Sequence, residues 1–208
     1  MEKREFLNLL GSAPAAVLAA FARPAPGPRA RQLPNFTLTT HEGKPVRFYD
    51  DLLRGKLVLI NFMYTRCDGL CPGQTANLVK VQRYLGDRVG RDVHMYSITL
   101  DPAADTPPAL RSYAEANGCG PGWLYLTGKP AEIEVVRRKL GFVDLDPARD
   151  KQRVSHLGLV LYGYEPIDRW AVCPALNEPD VIAHNVLALI GERAPWLSTF
   201  RKSSGSNN

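Results

Sequence analysis

A chain of 208 residues that is 45% hydrophobic and 23% charged holds enough apolar material for one packed core, which excludes intrinsic disorder for its bulk. No uncharged run reaches the ~20 strongly apolar residues of a confident membrane span, so a polytopic membrane protein is excluded. The formal charge of +5 invites a nucleic-acid reading, and the four cysteines are too few for a disulfide-built miniprotein.

The first 22 residues read as a targeting segment. Lys3 and Arg4 precede an uncharged run from Phe6 to Ala22, and Ala20, Phe21 and Ala22 have the small-x-small form of a signal-peptidase site. The start Lys3-Arg4-Glu5-Phe6-Leu7 is close to a twin-arginine export signal with Lys in the first position. Residues 1–22 are therefore expected to be an export signal or an uncleaved signal anchor. The mature protein would then be periplasmic or tethered to the outer face of the inner membrane. Residues 23–31, rich in Pro and Arg, predict an extended linker. A domain over residues 32–200 follows, with a polar tail at 201–208. The charge resolves along the same lines: residues 1–31 carry +3, the tail carries +2, and the domain balances 19 basic against 19 acidic side chains. Nucleic acid is not an expected partner.

Within the domain, residues 35–50 predict a hairpin turning at His41, Glu42 and Gly43. The continuous apolar run at 57–64 predicts a strand buried on both faces. Leu78, Val81 and Leu85 have helical spacing, giving a helix over 75–85. A strand is expected at 93–100. Thr106 and Pro107 then read as an N-cap and first helical residue, opening a helix to Asn117. A short strand at 123–126 precedes a helix at 131–140, closed by Gly141. Strands at 157–162 and 168–172 flank a turn, and a last helix covers 179–190. Strand alternating with helix implies an α/β class with parallel pairing, and the closing hairpin makes the sheet mixed. A cysteine pair directly after the first central strand, opening its helix, points to a thioredoxin-like three-layer fold with the extra N-terminal hairpin.

Cys67 and Cys71 carry the chemistry. At a spacing of four, one helical turn or a strand-to-helix loop brings both sulfurs to one face. A helix start favours thiolate over thiol, and thiolate is both nucleophile and soft-metal ligand. A disulfide closing so small a loop gains little loop entropy, so a purely structural bridge is poorly motivated. Zinc wants four ligands, and no second closely spaced pair exists. Two thiolates and an imidazole suit copper. A thiol–disulfide oxidoreductase using Cys67 and Cys71 as its redox pair is the competing reading. A peroxidase reading lacks the proline-threonine motif before the cysteine. The candidate imidazoles are His41, His94, His156 and His184, and the residues alone rank them only weakly.

The pattern resembles the Sco/SenC copper-chaperone family. Cys67 to Pro72 matches its C-x₃-C-P motif after an apolar strand. Asp101-Pro102 and Asp105-Thr106-Pro107 match its turn and helix start, Leu126-Thr127-Gly128 matches a further step, and His156 matches a late histidine at the start of a strand. The resemblance implies a copper ion, Cu(I) or Cu(II), held by Cys67, Cys71 and His156. It also implies a role in assembling the dinuclear copper site of cytochrome c oxidase, with subunit II as target and a thioredoxin-like reductant as a second partner. Asp101 matches the family's turn acid. The chain departs from the family in Asp68-Gly69-Leu70 between the cysteines and in Ser155 before the histidine. Cys119 and Cys173 read equally as a second disulfide or as two buried thiols.

Overall fold

The structure, a computed structural model, describes residues 23–152 and 158–192. Its centre is a seven-stranded sheet in the order β2-β1-β5-β4-β3-β6-β7. The strands are β1 (Thr37–Thr40), β2 (Pro45–Arg47), β3 (Leu57–Met63), β4 (Val93–Thr99), β5 (Trp123–Thr127), β6 (Leu159–Tyr164) and β7 (Arg169–Pro174). The middle three, β3, β4 and β5, run parallel, and every other pairing is antiparallel. The helices are α1 (Leu70–Leu85), α2 (Pro107–Ala116), α3 (Pro130–Lys139), the single turn α4 (Pro147–Asp150) and α5 (Pro179–Ala188). Strand, helix, strand, helix, strand, helix, hairpin and helix therefore follow in the expected order.

Strand β3 shows why this sequence needs three layers. All seven of its residues are buried. Leu57, Leu59 and Met63 join the core beneath α1, α2 and α5, while Val58, Ile60 and Phe62 join the core beneath α3. Period-two alternation with both faces apolar requires cover on both sides. Asn61 interrupts the first face and is satisfied there: Ser97 Oγ donates to its Oδ1 at 2.7 Å, and Trp123 Nε1 donates to Ser97 Oγ at 2.9 Å. A polar row thus crosses β3, β4 and β5 with its partners in place.

Three details differ from expectation. Helix α1 begins at Leu70, not Thr75, so Cys71 lies in its first turn; Pro72 is compatible because first-turn N–H groups have no intrahelical acceptor. Phe48–Leu53 forms a π-helical turn whose Phe48, Tyr49, Leu52 and Leu53 are buried. Residues 23–31 are not a free linker. They lie against the domain, held by Glu165, which is 2% exposed. Its Oε1 accepts from the Gly27 N–H at 2.7 Å and from the Tyr49 hydroxyl, and its Oε2 accepts from the Gly55 N–H at 2.7 Å. Burial and this carboxylate push the Tyr49 phenol up to about 12. Position 27 must be glycine here, because a Cβ would sit 2.4 Å from Glu165. Arg23 pairs with Asp51, and Arg29 pairs with Asp168 and covers the Trp170 ring.

Glu165→Ala removes the acceptor of three donors, at a cost of about 2 kcal/mol. Limited proteolysis is expected to cut the 23–31 segment much faster in that variant. Equal cutting rates would mean that the segment is held by its arginines alone.

Candidate metal centre

The fully buried β3 delivers the chain to the sheet's upper edge, and residues Tyr64–Gly69 form the loop into α1. That loop is anchored from below. Asp105, fully buried, accepts from the Thr65 N–H at 3.2 Å on each carboxylate oxygen and from the hydroxyls of Thr65 and Thr99. The Thr99 hydroxyl in turn accepts from the Asp101 N–H at 2.8 Å. The family's turn acid, Asp101, therefore contributes its backbone to this network, while the carboxylate that holds the cysteine loop is Asp105.

The two predicted cysteines come together and are unequal. Cys67 is 8% exposed and Cys71 is fully buried. Burial would raise the Cys67 thiol, but hydrogen bonds to its sulfur from the Cys71 thiol, the Cys71 and Gly69 N–H groups and the Tyr64 hydroxyl outweigh it, so its pKa lies below the ordinary thiol value. Burial, and then the charge-sharing contact with Cys67, pushes Cys71 up. The Tyr64 phenol is pushed up to about 12, first by its bond to Cys67. Cys67 is thus the more acidic and slightly the more accessible of the two sulfurs, and Cys71, closed off behind it, holds its proton more tightly. Soft metals and disulfides both react with such a pair.

His156 lies outside the described residues. On the C-terminal side of 153–157 the described chain resumes at Gly158, which α1 holds directly. The Gly158 N–H donates to Gln74 Oε1 at 2.9 Å, and Gln74 Nε2 donates to the Phe62 carbonyl at 3.1 Å. The Gly158 carbonyl accepts from the Ala175 N–H at 2.7 Å. Asn77, one position short of a turn beyond Gln74, donates to the carbonyls of Ala175 and Asn177. The cysteine helix therefore stitches together the start of β6 and the end of β7.

The other histidines occupy different places. The Nδ1 of His41 accepts from the Tyr125 N–H at 3.2 Å beside the β1–β2 turn, and burial lowers its pKa. His94 stands at the lower end of β4, stacked on Tyr96, and burial pushes it down to about 4. His184 is on α5, with its Nδ1 buried and unpartnered among the described residues. No third His, Cys, Asp or Glu joins Cys67 and Cys71 to complete a ligand group among the described residues. All four cysteines are free thiols. Cys119 Sγ lies 3.1 Å from the Tyr125 hydroxyl, and Cys173 sits in β7.

Asp105 and Gln74 are supporting residues that sequence reasoning did not single out. Asp105 stood within a motif read only as a helix start. Gln74 is a long polar side chain on the buried face of α1, beside Thr75 and among Leu78, Val79, Val81 and Leu85, which was the available signal.

The SCO1/SenC family pattern matches residues 25–165 of this chain. Protein sco1 of Schizosaccharomyces pombe is 32% identical over 145 residues, covering 67% of this chain and 51% of that protein. A protein of Stutzerimonas stutzeri named as a putative copper-binding protein is 29% identical over 139 residues, covering 65% of this chain and 66% of its own length. The chain thus spans half to two-thirds of the length of these relatives. Among solved structures, BsSco, described as a member of the Sco family of cytochrome c oxidase assembly proteins with a disulfide switch, superposes with a TM-score of 0.60 at 25% identity, covering 76% of this chain and 92% of that one. With its family pattern spanning most of the described domain and its fold matched, the chain belongs to the SCO1/SenC family.

Proposed function

We propose that this chain is an exported copper metallochaperone in which Cys67, Cys71 and His156 hold a copper ion and pass it to a cuproprotein, the dinuclear copper site of cytochrome c oxidase. The observation that carries the reading is the unequal cysteine pair at the start of α1, Cys67 in the loop before it and Cys71 in its first turn, with the Cys67 thiol held below its ordinary pKa. Soft sulfur selects Cu(I), which accepts low coordination numbers. The histidine assignment draws on the family resemblance and on the tether beside it: Gly158, bonded to Gln74 one turn below Cys71, is only two residues along the chain from His156. Two residues reach at most ~7 Å. Copper loading requires both sulfurs reduced, which is the task of a thioredoxin-like dithiol partner. Export, with release into the periplasm or anchoring at the inner membrane, rests on residues 1–22. Among the described residues no helix is long and apolar enough to cross a membrane.

The test is a copper titration of the reduced full chain beside its His156→Ala variant. The wild type is expected to bind one copper per chain at submicromolar concentration, and the variant about a hundredfold more weakly. The chaperone reading fails if the wild type binds no copper in that range. Equal affinity of the two proteins would remove His156 from the ligand set.

A further inference from the structure

Residues 23–31 fix where the chain enters the domain. The strap is held along its length: the Gly27 N–H donates to Glu165, Arg54 Nε donates to the Pro24 carbonyl at 2.5 Å, and Arg23 pairs with Asp51 at 2.8 Å. Pro24 lies against Gly55, where a Cβ would stand 2.6 Å from the proline ring. These anchors share one end of the sheet. Gly55 lies two residues before β3, and Tyr164, next to Glu165, pairs with Leu57 at the start of β3. The cysteines follow Met63, at the other end of that strand. The seven residues of β3 set the two ends about 20 Å apart.

No spacer stands between this clamp and the uncharged run from Phe6 to Ala22, because Arg23 follows that run directly. A chain anchored by the run therefore brings the lower end of the sheet to the bilayer. The surface around the entry point suits that place. Ile167, just past Glu165, is 49% exposed, and Arg169 beside it is exposed as well. Asp51, Asp168 and Asp50 are matched by Arg23, Arg29 and Arg54, so no excess of exposed acid there repels anionic headgroups.

We propose that the membrane-anchored chain stands with the lower end of its sheet against the lipid headgroups and its cysteine pair directed away from them, held so by Glu165 and the 23–31 strap. The inference rests on the anchored form of the function proposed above. A free leash of that length reaches ~30 Å and would let the domain turn in any direction. The clamp removes that freedom. The orientation also selects the acceptor. Copper leaves the site about 20 Å or more above the headgroups. The acceptor is then a protein whose copper ligands sit in a domain standing clear of the bilayer, not one whose ligands lie at or within it.

The experiment reconstitutes the metal-free full chain into vesicles of phosphatidylethanolamine and phosphatidylglycerol that carry a trace of lipid with a diazirine on its headgroup. After illumination, mass spectrometry maps the labelled peptides. Labelling of residues 54–56 and 165–169 is expected to exceed that of residues 66–70 by at least about fivefold, given the difference in height. Glu165→Ala frees the strap and should bring the ratio toward one. Gly27→Val tests the same point with Glu165 in place, since a Cβ at position 27 would meet that side chain at 2.4 Å. Even labelling of the two ends in the wild type, or a ratio that neither variant lowers, would overturn the proposal. So would a chain that stays out of the vesicles. Because no copper is present, each of these failures leaves the copper-binding reading to its own titration.

Discussion

Cys67→Ala is expected to abolish copper binding at submicromolar concentration, and to do so more completely than Cys71→Ala. Changing groups that merely orient a metal ligand typically costs 10–100-fold in affinity, so removing a ligand should exceed about a hundredfold. The difference between the two variants follows from their surroundings. Without Cys67, the remaining sulfur is fully buried, and that burial holds it as a neutral thiol. Without Cys71, the remaining sulfur loses that thiol's hydrogen bond but keeps the N–H groups of positions 71 and 69 and the Tyr64 hydroxyl, all of which favour its charged form. Competition against a Cu(I) chelator measures both affinities, and far-ultraviolet circular dichroism verifies the fold. Cys71 packs in the core beneath α1, where loss of one sulfur atom leaves only a small cavity, so both variants should fold. If Cys71→Ala proved the weaker binder, the assignment of Cys67 as the leading thiolate would be wrong.

The order of exposure gives the same asymmetry a kinetic sense. Transfer of an ion between proteins proceeds by exchange of one ligand at a time, and an incoming thiolate can reach the ion only from the solvent side. Cys67 is the more accessible sulfur and Cys71 is closed off, so exchange should start at Cys67 and end at Cys71.

Periodicity carried most of the fold. The apolar run at β3, the Thr106-Pro107 start of α2 and the Gly141 stop after α3 each have a local cause, and local causes are what a sequence displays. Apart from the start of α1, the features that escaped depend on distance along the chain. The start of α1 was hidden because Gly69, Pro72 and Gly73 resemble a loop, although Pro is tolerated in a first helical turn. Residues 23–31 looked like a linker because nothing nearby announces Glu165, which lies 138 positions from the Gly27 it binds. The site divides in the same way. Cys67 and Cys71 were legible because their spacing is local. Gln74 meets Gly158 across 84 positions and Asp105 meets Thr65 across 40, and no pattern in either segment foretells the encounter. His156 was distinguished from the other three histidines by family resemblance alone.

Asp105 offers the second large effect. Every group around its carboxylate donates: the Thr65 N–H, the Thr65 hydroxyl and the Thr99 hydroxyl. The Asp101 N–H occupies a lone pair of Thr99 Oγ1 and so helps direct that hydroxyl's proton toward Asp105. Asp105→Asn keeps the shape but replaces one acceptor oxygen with an NH₂ group that faces donors. The backbone N–H of Thr65 cannot turn away, so the amide oxygen must serve it, and the NH₂ is left against one of the two hydroxyls, which sit on different oxygens of the native carboxylate. Losing charge-assisted bonds at a fully buried position should cost about 2–3 kcal/mol, measurable by urea denaturation. The loop from Tyr64 to Gly69 loses its anchor at the same time, so copper affinity should fall by about 10–100-fold, the range typical of residues that position metal ligands. The two readouts separate two roles. A variant that loses stability yet binds copper as tightly as the wild type would make Asp105 a fold residue only. Coupling is the stricter criterion: Thr65→Val and Asp105→Asn share one contact, so their combined effect on copper affinity should be smaller than the sum of the single effects.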